Sequence, residues 1–217
     1  MDFKKLIVVC GHYGSGKTTF SLNLARNLSR SNKVTLIDMD IVNPYFRSSD
    51  YRGDLQAAGI HIISPNFAGT TLDTPSLSPE ISAALMGGDD FVIIDAGGDD
   101  AGATALGCYK DIIKGSAYDM LYVINKNRIQ TSTPQDAAVI LSEIETASGL
   151  KATGVVANTH LCGETSAETI LSAKDYNDEF CRISGLPLIF TCFPDFCGDI
   201  EEIKNPYRIE ALVKAPW

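Results

Sequence analysis

The chain predicts a three-layer α/β fold built on a doubly wound, mainly parallel sheet of Rossmann-like type. Short apolar, β-branched runs recur along it, and most are continuous rather than alternating, as strands buried on both faces are. Segments of helical periodicity lie between them, the alternation that builds a parallel sheet with helices on both sides. The 217 residues, 45% hydrophobic and 21% charged, show no internal repeat, low-complexity tract or linker. A single domain spanning residues 1–217 is therefore expected.

The strand-like runs are Leu6–Cys10, Val34–Asp38, Ile60–Ser64, Phe91–Asp95, Met120–Asn125, Gly154–Asn158 and Leu188–Phe193. Lys17–Arg30 places Phe20, Leu24, Ala25 and Leu28 on one helical face. Thr133-Pro134 opens a helix with a cap and a first-turn proline; it runs through Ala137, Ile140, Leu141 and Ile144 and stops at Gly149. Thr165-Ser-Ala-Glu168 reads as a capping box whose helix continues to about Ile183. The closing stretch, Asn205–Trp217 (NPYRIEALVKAPW), reads as a docking helix followed by a tail.

Composition narrows the function. A net charge of −9 argues against a surface that tracks nucleic acid, which needs a basic patch. No apolar stretch reaches the ~18–20 residues of a membrane span. The chain enters its first strand after Met-Asp-Phe-Lys-Lys, which leaves no room for a signal peptide, so a cytoplasmic protein is expected. The six cysteines form no C-x-x-C pair and read as reduced thiols acting as small hydrophobes. A metal or cluster at Cys192 and Cys197, shared between subunits or not, stays open as the alternative.

In parallel α/β sheets ligands lie at the carboxyl ends of the strands, so the polar residues there are the candidates. After the first run, residues 11–18 read GHYGSGKT and match G-x-x-x-x-G-K-[ST] in full. Backbone N–H groups of Gly11, His12, Tyr13, Gly14, Ser15 and Gly16, with Thr19 just beyond, are placed to curl around phosphates at a helix N-terminus. Lys17 would reach the β- and γ-phosphates, and the Thr18 hydroxyl would ligate Mg²⁺. The fourth run ends in Asp95-Ala-Gly97-Gly98, a carboxylate for the Mg²⁺ water shell followed by a turn whose N–H groups face a γ-phosphate. The second run ends in Asp38-Met-Asp40, carboxylates two apart on an extended chain and pointing the same way. Either a metal or an attacking water would suit them, and a solvated loop is the plain alternative. The run ending at Asn158 continues Thr-His-Leu161, where a guanine reader would carry N-K-x-D. Thr159 and Leu161 disfavour guanine, and Asn158 is left to face adenine. Asn125-Lys-Asn-Arg128 imitates that motif but follows the wrong strand. Pro194-Asp195 forms a loop that would cover the base.

These segments together resemble the MinD/ParA-like ATPases (the CobQ/CobB/MinD/ParA nucleotide-binding domain), in the wider class with nitrogenase iron protein, dethiobiotin synthetase and cobyrinic acid synthases. The resemblance rests on GHYGSGKTT (11–19), LIDMDIVNP (36–44), FVIIDAGG (91–98), VVAN (155–158) and FPD (193–195). It implies a slow, Mg²⁺-dependent ATPase acting as a nucleotide-dependent switch, with Lys17 and Asp40 catalytic, Thr18 and Asp95 at the metal, and a homodimer or another protein as partner. Two alternatives stay open: a biosynthetic enzyme resembling dethiobiotin synthetase, and an adaptor gated by nucleotide without hydrolysis. The family usually carries a lysine at the second loop position, which reaches the partner subunit's phosphates; this chain has His12. Either His12 substitutes when protonated, or it plays no catalytic part and turnover is slow; fast turnover without a partner would require another cation, with Arg47 and Arg128 as candidates, to supply the charge.

Overall fold

The computed structural model describes residues 3–40, 52–64, 78–87, 91–98, 100–210 and 212. Eight strands form one all-parallel sheet in the order β3-β2-β4-β1-β5-β6-β7-β8. They are β1 (Leu6–Cys10), β2 (Val34–Met39), β3 (Ile60–Ile63), β4 (Phe91–Ala96), β5 (Tyr118–Ile124), β6 (Gly154–Ala157), β7 (Leu188–Pro194) and β8 (Pro206–Ile209). The helices are α1 (Lys17–Ser29), α2 (Arg52–Ala57), α3 (Pro79–Met86), α4 (Asp100–Gly107), α5 (Lys110–Gly115), α6 (Pro134–Ser148), α7 (Ala167–Leu171) and α8 (Lys174–Ser184).

Strand alternation divides the core into two layers. Leu6, Val8 and Cys10 of β1 pack with Val92 and Ile94 of β4 and with α6 and α8. Ile7 and Val9 face the other way, with Val34, Leu36, Ile93, Val123 and Val156, under Phe20 and Leu24 of α1. This parity decides where the strand-end polar groups point. Asp95 continues Phe91 and Ile93, Asp38 continues Val34 and Leu36, and Asn158 continues Val156. All three therefore belong to the face that α1 covers. The register of β2 on β4 sets Asp38 directly opposite Asp95.

Two sequence expectations are corrected. The stretch from Pro206 is a strand, not a helix. Its exposure alternates, with Tyr207 and Ile209 turned onto the α1 layer, and Tyr207 packs on Phe20 and Phe190 at ring separations of 5.6 and 4.5 Å. Asn23 of α1 completes the dock, donating 3.0 Å to the Glu210 carbonyl and accepting 2.8 Å from its N–H. The capping box lies one residue later than read. Ser166 Oγ accepts from Thr169 N–H at 3.2 Å while Thr169 Oγ1 accepts from Ser166 N–H at 3.3 Å. Thr165 instead closes the preceding turn, accepting from Leu161 N–H (2.9 Å) and donating to the Cys162 carbonyl (2.7 Å). The helix expected up to Ile183 is accordingly two, α7 and α8, parted at Ser172 and Ala173.

Candidate functional site

The phosphate loop joins β1 to α1 at the carboxyl end of the sheet, beside the strand where chain order reverses between β4 and β5. Its glycines carry the curvature. Gly14 (φ 73°) and Gly16 (φ 92°) occupy left-handed backbone, which side chains other than glycine's enter only with strain. A Cβ on Gly16 would also collide with the Asn158 amide. The curl is fixed by the Ser15 N–H on the His12 carbonyl (3.2 Å), and α1 begins with Phe20 N–H on the Gly16 carbonyl (3.0 Å). Lys17 is buried at the helix start and donates 3.2 Å to the His12 carbonyl, so its ammonium lies across the mouth of the loop. Tyr13 stands exposed at the tip, Ser15 is buried beneath it, and Thr18 and Thr19 are half-buried in the first turn.

Behind the loop sit the two facing carboxylates. Asp95 is 1% exposed and Asp38 6%. Burial, then the Asp38 charge, pushes the Asp95 carboxyl up to about 7, while Lys17 and hydrogen bonds from Thr18 and Ser21 pull the other way. The Ser21 hydroxyl is 3.1 Å from Asp95 Oδ1. Two buried carboxylates and a threonine hydroxyl are hard oxygen donors in need of positive charge, and the set fits a divalent cation such as Mg²⁺. Asp40, half-buried just beyond β2, donates its N–H 3.2 Å to Asp38 Oδ1. Gly97 is buried, and Gly98 approaches the loop so closely that a Cβ there would lie 2.6 Å from Lys17 Nζ and 2.7 Å from Tyr13 N.

On the opposite flank Asn158 is buried and donates 2.8 Å to the Ser15 carbonyl. Its amide braces the loop, a role that reading it only as a base contact overlooked. Pro194 ends β7, and Asp195 starts a short 3₁₀ turn in which its carboxylate accepts from Phe196 N–H at 2.9 Å. These two lie at the same end of the sheet, one strand beyond β6, with Asp195 engaged in its own turn. Cys192 is a buried core residue on the α1 layer, and Cys197 donates its thiol to the Thr165 carbonyl in a separate small cluster. Among the described residues no group of three or more His, Cys, Asp or Glu is placed to hold a metal ion. Arg47, and the sequence between Asp40 and Arg52 generally, lies outside the described residues.

Three contacts were missed from the sequence. Arg128 Nε donates 2.6 Å to the Gly14 carbonyl. Gln130 hydrogen-bonds the His12 side chain, whose pKa is nonetheless lowered, first by burial and then by Lys17. His160 lies beside Gly16 and Asn158, its pKa pushed down to about 4 by burial and by Arg128. The available signal was Asn125-Lys-Asn-Arg128 itself: β5 adjoins β1, so its exit turn borders the phosphate loop.

Comparison with known proteins agrees with this geometry. Residues 6–172 match the model of the CobQ/CobB/MinD/ParA nucleotide binding domain. The chain belongs to that family. It is thus a nucleotide-binding P-loop domain of the MinD/ParA class, and the family assignment spans the phosphate loop, Asp38, Asp95 and Asn158. No curated protein sequence matches it significantly. Among solved structures, the cell division protein FtsY from Thermotoga maritima superposes with a TM-score of 0.57 at 21% identity, over 84% of this chain and 59% of that one. FtsY from Elizabethkingia anophelis, solved with GDP, gives 0.55 at 20% identity, over 87% and 57%. The signal recognition particle 54 kDa protein from Aeropyrum pernix, also solved with GDP, gives 0.54 at 17% identity, over 86% and 41%. This chain thus spans less than two thirds of the length of each, and the likeness is one of fold. Among the described residues no helix is long and apolar enough to cross a membrane.

Proposed function

We propose that this member of the MinD/ParA class binds ATP with Mg²⁺, hydrolyses it slowly to ADP and phosphate, and uses the nucleotide state as a switch in the cytoplasm. The observation that carries this reading is the pair Asp38 and Asp95, buried face to face behind a lysine-bearing phosphate loop. Such a charge arrangement suits a triphosphate and its cation. Thr18 and Asp95 would hold Mg²⁺, which when bound neutralises phosphate charge. Lys17 would neutralise charge developing on the transferred phosphoryl group, Asp40 would orient the attacking water, and the Gly97 and Gly98 N–H groups would face the γ-phosphate.

Adenine is favoured over guanine because Thr159 and Leu161 stand where a guanine reader places its lysine and aspartate. Asn158 and the Pro194-Asp195 turn would flank the base. Slow turnover follows from His12: half-buried and next to Lys17, its imidazole is neutral at pH 7 and contributes no fixed charge to a second subunit. The partner in this reading is a second copy of the chain or a protein that senses the switch. Competition binding between ATP and GTP, together with phosphate release by the wild type and Asp40→Asn, tests it. Tighter ATP binding is expected, with hydrolysis cut and ATP affinity nearly intact in Asp40→Asn. Tighter GTP binding, or full hydrolysis by Asp40→Asn, would overturn the corresponding part.

A further inference from the structure

The turn leaving β5 touches the phosphate loop twice, and both contacts are made by side chains of its own chain. Arg128 Nε donates 2.6 Å to the Gly14 carbonyl, and the guanidinium lies over that glycine, where a Cβ would come within 3.1 Å of Nε and 3.6 Å of Cζ. Gln130, two residues on, pairs with the His12 side chain. The platform beneath them is well tied. Arg128 N–H donates to the Asn125 carbonyl (3.2 Å) and Thr131 N–H to the Arg128 carbonyl (3.0 Å). Thr131 Oγ1 donates to the Asn125 carbonyl (2.9 Å), and the Tyr176 hydroxyl of α8 to the Thr131 carbonyl (2.7 Å). Asn125 and Thr131, at the two ends of this turn, are buried.

A guanidinium presents a planar fork of donors, so one N–H can hold a carbonyl while others remain for an anion; a lysine ammonium acts as a single point charge. The second loop position, where the resembled family carries its lysine, here holds a histidine engaged by Gln130. Besides Lys17, the positive charge next to the loop therefore comes from Arg128, whose field also reaches His160.

We propose that Arg128 is the positioning residue of the nucleotide site, clamping the phosphate loop through the Gly14 carbonyl and adding, from within the same chain, positive charge for nucleotide binding, while the charge that a lysine at position 12 would give a second subunit is left unreplaced. The inference rests on the nucleotide-binding reading above. It implies that one chain binds its nucleotide without a cation donated by a second subunit.

The test is calorimetric titration of the full chain with ATP and Mg²⁺, at a concentration where light scattering reports one chain. Wild-type protein is expected to bind one nucleotide per chain. Arg128→Gln should lose at least ~10-fold in affinity with an unchanged melting temperature, and Arg128→Lys should lose less. Millimolar guanidinium chloride should restore binding to Arg128→Ala but not to Lys17→Ala, a rescue that a merely structural role would not produce. Wild-type affinity in Arg128→Gln, or loss accompanied by a lowered melting temperature with no guanidinium rescue, would overturn the proposal. So would wild-type binding seen only with a dimer. If wild type binds and Lys17→Ala does not, an Arg128 failure stands alone; if wild type itself does not bind, the nucleotide-binding reading fails.

Discussion

Removing the charge of Asp95 should stabilise the nucleotide-free protein, and the size of the effect follows from its burial first and from the facing Asp38 second. Asp95 lies buried opposite Asp38, and its carboxyl is raised from 3.8 to about 7. Between these values the native state keeps a proton that the unfolded chain has released. Stability therefore falls as pH rises through this window, and the penalty is complete above pH 7. At 1.36 kcal/mol per pH unit it amounts to ~4 kcal/mol. The amide introduced by Asp95→Asn would carry no charge and could still accept from the Ser21 hydroxyl. Urea titrations of apo wild type and Asp95→Asn in EDTA should show the variant more stable at pH 8. Its advantage should shrink by ~2–3 kcal/mol on going to pH 5. Adding Mg²⁺ and ATP should stabilise the wild type far more than the variant, because ligand that binds only the folded state adds stability. An advantage for Asp95→Asn that is absent at pH 8, or that grows toward pH 5, would refute the reading of Asp95 as a buried carboxyl raised by burial and by Asp38.

Two other substitutions probe how the loop is held. Asn158→Ala deletes the donor to the Ser15 carbonyl and leaves a buried acceptor unpaired, so it should cost ~1–3 kcal/mol in urea titrations and weaken ATP binding. Gly98→Ala would set a methyl 2.6 Å from Lys17 Nζ and 2.7 Å from Tyr13 N. Its ATP affinity should fall while its melting temperature stays near that of the wild type, both readable by calorimetry.

Much of this site was legible before any coordinates, for a physical reason. In a parallel sheet, strand runs are continuous and their carboxyl ends carry the chemistry, so Asp95, Asp38, Asn158 and the 11–18 loop could be picked out, while the face that the three side chains share came from the packing of the two core layers. What escaped depended on contacts between distant segments. The strand at Pro206 is set by Asn23 and by Tyr207 packing on Phe20 and Phe190, and no local pattern announces either. The cap at Ser166 was misplaced because Thr165, an equally good capping residue, is used by the turn at Leu161. The Asn125–Arg128 run was set aside as a base reader because it follows the wrong strand, and Arg128 was named only as a candidate charge, with its hold on the Gly14 carbonyl unforeseen. That strand's position beside β1 is what brings it to the loop.

The central claim is that the 11–18 loop holds a nucleoside triphosphate through Lys17. Calorimetric titration of wild type and Lys17→Ala with ATP and Mg²⁺ tests it most directly. The account predicts binding by the wild type and at least a ~10-fold loss in Lys17→Ala, since a charge-assisted contact is worth roughly 1.5–3 kcal/mol. Equal ATP affinity in the two proteins would contradict it.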